Sequence, residues 1–238
     1  MEDNIPYVVE LEDLFSTIDI SKDSKIIDVS AGTGFPALEL IESGYNIDCM
    51  DAMDDEIAVF MKKAKKKGLK TTCKKLTWLE IPSHYKKKNY DLVFCRGNSF
   101  IYAAGGWNKA QGIDQKKSLE IYEKTLQVFY DLLEDGATLY IDKFKDSEKP
   151  HKTKVGEVKI KGKKYDLIFY NEVNKKRHER YAAMLLRDEN GVEKGLPNMT
   201  YLLTEKELLQ MMKNVGFKNI KKVKLKTEGH FDVWIAKK

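Results

Sequence analysis

The period of the apolar and polar positions changes along the chain, and those changes mark out its elements. Residues 9–18 predict a short opening helix. Lys25-Ile26-Ile27-Asp28-Val29 predicts a buried strand, closed by the glycine turn Ala31-Gly32-Thr33-Gly34. Pro36 suits the first turn of a helix that runs to about Glu42. Gly44 stops that helix, and Ile47-Asp48-Cys49-Met50 predicts a second strand. Residues 54–67 predict a helix whose Asp54, Asp55 and Glu56 at one end and lysines at the other complement its dipole. Leu69 to Lys75 predicts a third strand. Tyr90 to Cys95 predicts a fourth, continuously apolar as a strand covered on both faces should be. Asp114 to Leu133 predicts a long helix with apolar residues at Leu119, Tyr122, Leu126, Phe129 and Leu133, followed by a fifth strand at Ala137 to Asp142.

The pattern then switches. Lys154 to Asn190 alternates with period two and carries an Asn190-Gly191 turn, as antiparallel strands do. Thr204 and Glu207 have capping-box spacing and open a helix that Gly216 ends. Phe217 to Thr227 and Phe231 to Ala236 predict two strands joined through Glu228-Gly229-His230. Five β/α units, an antiparallel insertion, a helix and a terminal hairpin imply an α/β chain with a mostly parallel sheet. The expected division is residues 1–150 with 202–238 in one domain and 151–201 in the other.

At 238 residues the chain is long enough to bury a sizeable core. With 42% hydrophobic and 11% aromatic residues it is neither disordered nor collagen-like. No apolar run approaches the ~18 residues of a membrane helix. The start, Met1-Glu2-Asp3-Asn4, has no basic run before an apolar stretch, so no secretory signal is expected. Cys49, Cys73 and Cys95 lack C-x-x-C spacing, so neither a metal site nor a disulfide framework is expected, and a reducing cytoplasmic compartment fits. The net charge of +5, from 42 basic and 37 acidic residues, falls short of a dedicated nucleic-acid binder. Its lysines cluster at 62–75, 86–88, 159–164 and 218–226 without interleaved aromatics, which reads as solvated faces.

The chemistry concentrates where the first two strands end. Asp28-Val29-Ser30-Ala31-Gly32-Thr33-Gly34 follows a strand and precedes a helix, and Asp51 ends the next strand. A glycine turn there admits a ligand close to the backbone, and an acid at the tip of strand two can accept bonds from both hydroxyls of a ribose. Three details favour S-adenosylmethionine over a dinucleotide. An acid, Asp28, sits before the glycines. Position 37 is Ala, preceded by Pro36, where a third glycine is usual. The chain also closes with a helix and a hairpin.

With Tyr90-Asp91-Leu92-Val93-Phe94 and the terminal hairpin, this order resembles the class I S-adenosylmethionine-dependent methyltransferases. Thr77-Trp78-Leu79, Cys95-Arg96-Gly97-Asn98-Ser99-Phe100 and Leu139-Tyr140-Ile141-Asp142 are similar to the glycine and glycine/sarcosine N-methyltransferase group. The resemblance implies a Rossmann-like sheet of seven strands, mostly parallel with an antiparallel terminal hairpin, and a small antiparallel β insertion. It implies S-adenosyl-L-methionine as cofactor and no metal. Ser30, Ala31, Gly32 and Gly34 would lie under its methionine part, Asp51 on its ribose with Ala52 beside it, and Met53 on its adenine. Thr77, Trp78 and Leu79 would hold the adenine edge, and Cys95 and Arg96 would offer main-chain atoms to the methionyl end. Asn98 falls near the acceptor, with Tyr102, Tyr170 and Tyr201 as further candidates.

Where the family usually has an arginine that clamps the acceptor carboxylate, this chain has Phe144, flanked by Lys143 and Lys145. A phenyl ring makes no bidentate pair with a carboxylate. Arg177 or Arg180 of the insertion are substitutes. The mixed charge of the insertion (Glu172, Arg177, Glu179, Arg180) suits a small polar molecule, and Gly105-Gly106-Trp107 is expected to form a mobile loop. The expected reaction is methyl transfer to the amine of an amino acid or small amine. RNA or protein methylation through the lysine clusters, O-methylation of a small molecule, and a non-catalytic cofactor-binding module stay open. No Tyr-x-x-x-Lys set supports a hydride-transfer enzyme.

Overall fold

The computed structural model describes residues 5–105, 113–146, 149–195 and 198–238. Gly106 and Trp107 of the expected mobile loop lie outside them. The chain divides into two compact units.

The first unit comprises residues 1–100, 122–145 and 208–238. Helix α1 (Ile5–Thr17) leads to β1 (Lys25–Asp28), α2 (Ala37–Glu42), β2 (Asn46–Asp51), α3 (Asp54–Lys66) and β3 (Cys73–Lys75). A 3-10 turn at Trp78–Glu80 and the short α4 (Ile81–His84) precede β4 (Tyr90–Cys95). The unit continues through most of α5 (Gln115–Leu132) and β5 (Leu133–Phe144). It ends with most of α6 (Glu205–Val215), then β11 (Lys218–Val223) and β12 (Phe231–Lys237), which are numbered after the strands of the second unit. The seven strands run in the order β11-β12-β5-β4-β1-β2-β3. β1 is parallel to both β2 and β4, and β12 runs against the rest of the sheet, antiparallel to both β5 and β11. The strand order therefore reverses between β1 and β4, and ligands of such sheets bind beyond the carboxyl ends of the strands at that point.

Alternation along the strands decides what packs where. Ile26, Leu92, Phe94 and Tyr140 join one apolar cluster with Leu11 and Phe15 of α1, Leu38 and Leu40 of α2, and Phe60 of α3. Phe94 lies 4.6 Å from the ring of Tyr140 and 6.0 Å from that of Phe15. The intervening Val93, Cys95, Leu139 and Ile141 are buried too, as strands covered on both faces require.

Several boundaries shift from the expected ones for local reasons. The opening helix starts earlier, at Ile5, because Tyr7, Val8 and Leu11 already face the core. The third strand is only Cys73–Lys75, since the Leu69 N–H is spent on the Ala64 carbonyl in closing α3. The fifth strand begins at Leu133, where Leu133 pairs with Tyr90. A bulge around Gly136 then resets the register, so that Thr138 faces Leu92. β11 stops at Val223 because the Glu10 carboxylate captures the backbone N–H groups of Lys226 and Thr227.

The second unit comprises residues 101–121 and 146–207. Its strands are β6 (His151–Ile160), β7 (Lys163–Asn174), β8 (Glu179–Arg187), β9 (Glu193–Lys194) and β10 (Asn198–Tyr201). They form an antiparallel sheet in the order β10-β8-β7-β6, with β9 on β8. The β6–β7 hairpin turns through Lys161 and Gly162, both at positive φ as a two-residue hairpin loop demands. Thr204 and Glu207 make the expected capping box, the Glu207 N–H donating to Thr204 Oγ1 at 3.2 Å and the Thr204 N–H to Glu207 Oε2 at 2.8 Å. No helix among the described residues is long and apolar enough to cross a membrane.

Candidate functional site

The turn after β1 is held open by bonds to the neighbouring strands. Asp28, the last residue of β1, is buried and accepts the Ser30 N–H at 2.9 Å. The Ser30 hydroxyl accepts the Arg96 N–H at 3.0 Å and donates to the Arg96 carbonyl at 3.1 Å, which ties this turn to the exit of β4. The Ala31 N–H donates to the Met50 carbonyl of β2 at 3.0 Å. Gly32 and Gly34 both have positive φ. A Cβ on Gly34 would stand 2.5 Å from Leu38 Cδ1 and 3.1 Å from Phe60, so the glycine lets α2 and α3 close on the turn. Gly34→Ala therefore combines backbone strain with overpacking. It is expected to cost about 3 kcal/mol in chemical denaturation.

Asp51, at the tip of β2, is half-buried. Its Oδ2 accepts the Gly32 N–H and its Oδ1 the Met53 N–H, each at 2.9 Å. Each carboxylate oxygen has two lone pairs, so this acid is fixed in place with acceptor capacity in hand. A Cβ on Gly32 would lie 3.8 Å from the Glu56 carboxylate, so that side of the turn faces Glu56. Burial, with the charge of Asp51, pushes the Glu56 carboxyl up. Beside Asp51, Met53 is 46% exposed, and Leu79 in the 3-10 turn is 51% exposed. A carboxylate for a diol, a turn with glycine at positions 32 and 34 and exposed apolar side chains fit an adenosyl group.

The 3-10 turn is self-contained. The Thr77 N–H and hydroxyl both donate to Glu80 Oε2 at 2.7 Å. Trp78 turns inward: its indole N–H donates to the Val29 carbonyl at 2.6 Å, and its ring stacks on Phe100 and meets Phe129 edge-on. Trp78 thus supports the first turn from behind. The Cys95 thiol is fully buried, and burial pushes it up, so a ligand would meet only the main chain there. Ala52 is exposed at the bend after β2.

Sequence reasoning placed the Arg96 main chain here but missed its side chain. Arg96 Nε donates to the Tyr7 hydroxyl at 2.5 Å, and Nη2 pairs with Glu228 at 2.6 Å. The guanidinium lies 4.4 Å from the centre of the Tyr7 ring. Burial pushes the Tyr7 phenol up, partly offset by the Arg96 charge. Tyr7 comes from α1 and Glu228 from the segment before β12, and no local spacing signals that meeting.

Asp142 was also missed as an organiser. It is buried near the end of β5 and accepts the Gly97 N–H at 2.9 Å and the Asn98 N–H at 2.6 Å. Burial pushes its carboxyl up to about 6, although both N–H bonds and Arg96 oppose the shift. Asn98 sits at φ 61°, and its side-chain carbonyl accepts the Phe144 N–H at 2.9 Å. It therefore locks the exit of β4 to the end of β5. The Phe144 ring, at the position of the missing arginine, stacks on His230 with centroids 6.0 Å apart.

Tyr102, Tyr170 and Tyr201 belong to the second unit. The Tyr201 hydroxyl donates to Glu207 at 2.6 Å and lies 3.3 Å from His178 Nδ1. The Tyr170 hydroxyl donates to Glu172. Burial, followed by the bond to Glu207, pushes Tyr201 up, which makes it a donor rather than a base at neutral pH.

The buried acid of the first turn has a consequence for stability. Burial pushes Asp28 up to about 7, against the Ser30 bond and the Arg96 charge. Between its unfolded and folded values the folded chain holds a proton that the unfolded chain has released. The stability this carboxyl contributes is present in full at low pH and is lost as pH rises through about 7. Asp28→Asn keeps the acceptor for Ser30 and removes the proton. Melts at pH 5 and pH 8 should show wild type losing roughly 3 kcal/mol more than the variant over that interval. Parallel curves would overturn this role for the carboxyl.

A family model described as a methyltransferase domain matches residues 20–216. A curated glycine/sarcosine N-methyltransferase from Aphanothece halophytica is 26% identical over 118 residues, which is 50% of this chain and 39% of that protein. The match thus spans well under half of that relative's length. An S-adenosylmethionine-dependent methyltransferase from Clostridium acetobutylicum superposes with a TM-score of 0.69 at 14% identity, covering 98% of this chain and 90% of that one. An S-adenosylmethionine-bound amino pentose methyltransferase from Micromonospora echinaspora, involved in calicheamicin biosynthesis, gives 0.66 at 13% identity, with coverage of 96% and 90%. At these identities the likeness is one of fold.

Proposed function

The chain belongs to the methyltransferase-domain family, and from that premise we propose that it moves the methyl group of S-adenosylmethionine onto the amine of an amino acid or other small polar amine. The observation that carries the cofactor is Asp51, a carboxylate fixed by the Gly32 and Met53 N–H groups at the mouth of a glycine turn. Asp51 would hold the ribose hydroxyls, and Met53 and Leu79 would cover the adenine. The Ser30–Arg96 pairing keeps the turn and the exit of β4 at a fixed spacing. When bound, S-adenosylmethionine supplies an electrophilic methyl on a cationic sulfonium.

An amine that arrives neutral needs little acid–base help, so the protein's contribution is chiefly positioning, which supplies roughly 7–11 kcal/mol in the best cases. Asn98 remains a candidate on the acceptor side, and so do Tyr102 and Tyr201. The amine class is supported by the matching relative, a glycine/sarcosine N-methyltransferase. Incubating the full chain with methyl-labelled donor and a panel of amino acids, amines and total RNA tests the reading by mass spectrometry. Label in an amine or amino acid supports it. Label in RNA or protein, or no transfer at all, overturns it.

A further inference from the structure

The second unit holds polar groups that its own hydrogen bonding leaves unanswered. In β8, Arg180 and Ala182 lie two residues apart and share one face of the antiparallel sheet. Thr200 of β10 and Val173 of β7 stand directly opposite Arg180. Asn171 of β7 stands opposite Ala182, and His151 of β6 opposite Asn171. All of these therefore occupy the same face. Asn171 is a diagonal neighbour of Arg180, a separation of about 7–8 Å that a long side chain bridges.

Around Arg180 this face is buried. Arg180 and Asn171 are each 1% exposed and Thr200 is 2% exposed. Arg180 Nη2 donates to the Asp146 carboxylate, so the guanidinium charge is matched. Its field also reaches Tyr102, whose phenol burial raises and Arg180 restrains. Asn171 is different. Neither its amide oxygen nor its amide nitrogen has a hydrogen-bond partner among the described residues, and the same holds for Thr200 Oγ1. A primary amide offers two donors and two acceptor sites, and burying all of them unmade is strongly unfavourable. Folded proteins leave few such groups, so a buried amide of this kind calls for a partner.

The chemistry of the face narrows what that molecule is. Arg180 and Asp146 bring one charge of each sign, so an unmatched charge is disfavoured while a molecule carrying both signs is accepted. Asn171 presents a donor and an acceptor side by side. The head of an α-amino acid supplies the complements: a carboxylate for N–H donors and an ammonium for carbonyl and carboxylate oxygens. We propose that this face of the second unit binds the head group of a small α-amino acid, with Asn171 and Thr200 as its hydrogen-bond partners beside the Arg180–Asp146 pair. The proposal rests on the reading that the chain methylates a small polar amine, and it narrows that class to acceptors bearing a carboxylate.

The test is calorimetry on the full chain with the protein amino acids, taken singly, and with the matching amines that lack the carboxylate. S-adenosylhomocysteine is titrated separately. Wild type is expected to bind at least one amino acid, and its decarboxylated counterpart roughly tenfold or more weaker. Asn171→Leu and Thr200→Val should each weaken that binding roughly tenfold, while the melting temperature holds or rises because an apolar group replaces an unpartnered polar one. Affinity for S-adenosylhomocysteine should stay unchanged in both. No binding by any amino acid overturns the proposal. So does unaltered binding in Asn171→Leu, or a lowered melting temperature there with ligand response intact, the signature of a structural amide held by ordered water. Absence of heat with S-adenosylhomocysteine sinks the methyl-transfer reading instead, and amino-acid binding is scored directly and independently of it.

Discussion

Replacing Asp51 with alanine is expected to weaken binding of S-adenosylmethionine by at least about a hundredfold. The carboxylate would hold two ribose hydroxyls, and a hydrogen bond to a charged group is worth roughly 1.5–3 kcal/mol. Losing two of them amounts to roughly two to four orders of magnitude in affinity. The substitution also frees the N–H groups of Gly32 and Met53, so the turn that faces the ligand loses both anchors on this side. Asp51→Asn separates the two effects. Its amide oxygen still accepts one N–H, whereas its NH2 group faces a second N–H and cannot accept it. Asparagine should therefore retain part of the fold's support and still lose most of the affinity. Calorimetry with S-adenosylhomocysteine gives the answer, with melting curves to separate binding from folding. Affinity within threefold of wild type in Asp51→Ala, with an unchanged melt, would remove this carboxylate from the cofactor site.

The parts of this site that the sequence makes legible are those fixed by short-range geometry. A strand that ends at Asp28, two glycines at positive φ and an acid at the tip of the next strand follow from backbone rules acting over a few residues. The mostly parallel sheet with its terminal hairpin follows as well, because alternating strands and helices wind a parallel sheet and two adjacent strands close it antiparallel. What stays hidden depends on side chains that meet across the chain. Asp142 grips the β4 exit from a strand more than forty residues away. Glu10 stops β11 by capturing N–H groups more than two hundred residues downstream, against a β-prone sequence that would otherwise continue. Thr77 and Trp78 are legible as a motif but not in their orientation: Thr77 is exposed and bonded to Glu80, while Trp78 turns inward to the Val29 carbonyl. Residues 101–121 group with the antiparallel strands, which no compositional shift at that point announces.

The largest loss of stability is expected from breaking the Arg96–Glu228 pair. Both side chains are largely buried, with 18% and 8% of their surface exposed, and their atoms meet at 2.6 Å. Taking one partner away strands the other charge where water cannot reach it freely, a loss of about 3–5 kcal/mol for buried pairs. Arg96→Met should be the worse of the two single changes. It also abandons the Tyr7 hydroxyl and removes the positive charge that opposes protonation of Asp28 and Asp142. That second effect depends on pH. Near pH 5 the two acids are largely protonated and need no cation, so the variant's deficit should be smaller there than at pH 8. Glu228→Leu leaves Arg96 with Tyr7 and the nearby acids and should cost less at either pH. The double variant then distinguishes a strained pair from a stabilising one. If the charges are merely compensating each other's burial, Arg96→Met with Glu228→Leu recovers much of the single-variant losses, as apolar replacements of buried pairs often do. Denaturant melts of all four proteins at both pH values complete the cycle. Single-variant losses below about 1 kcal/mol would show a pair that behaves as a solvated surface bridge. In that case the exit of β4 is held by Asp142, by the Asn98 bond to Phe144 and by the Ser30–Arg96 main-chain bonds.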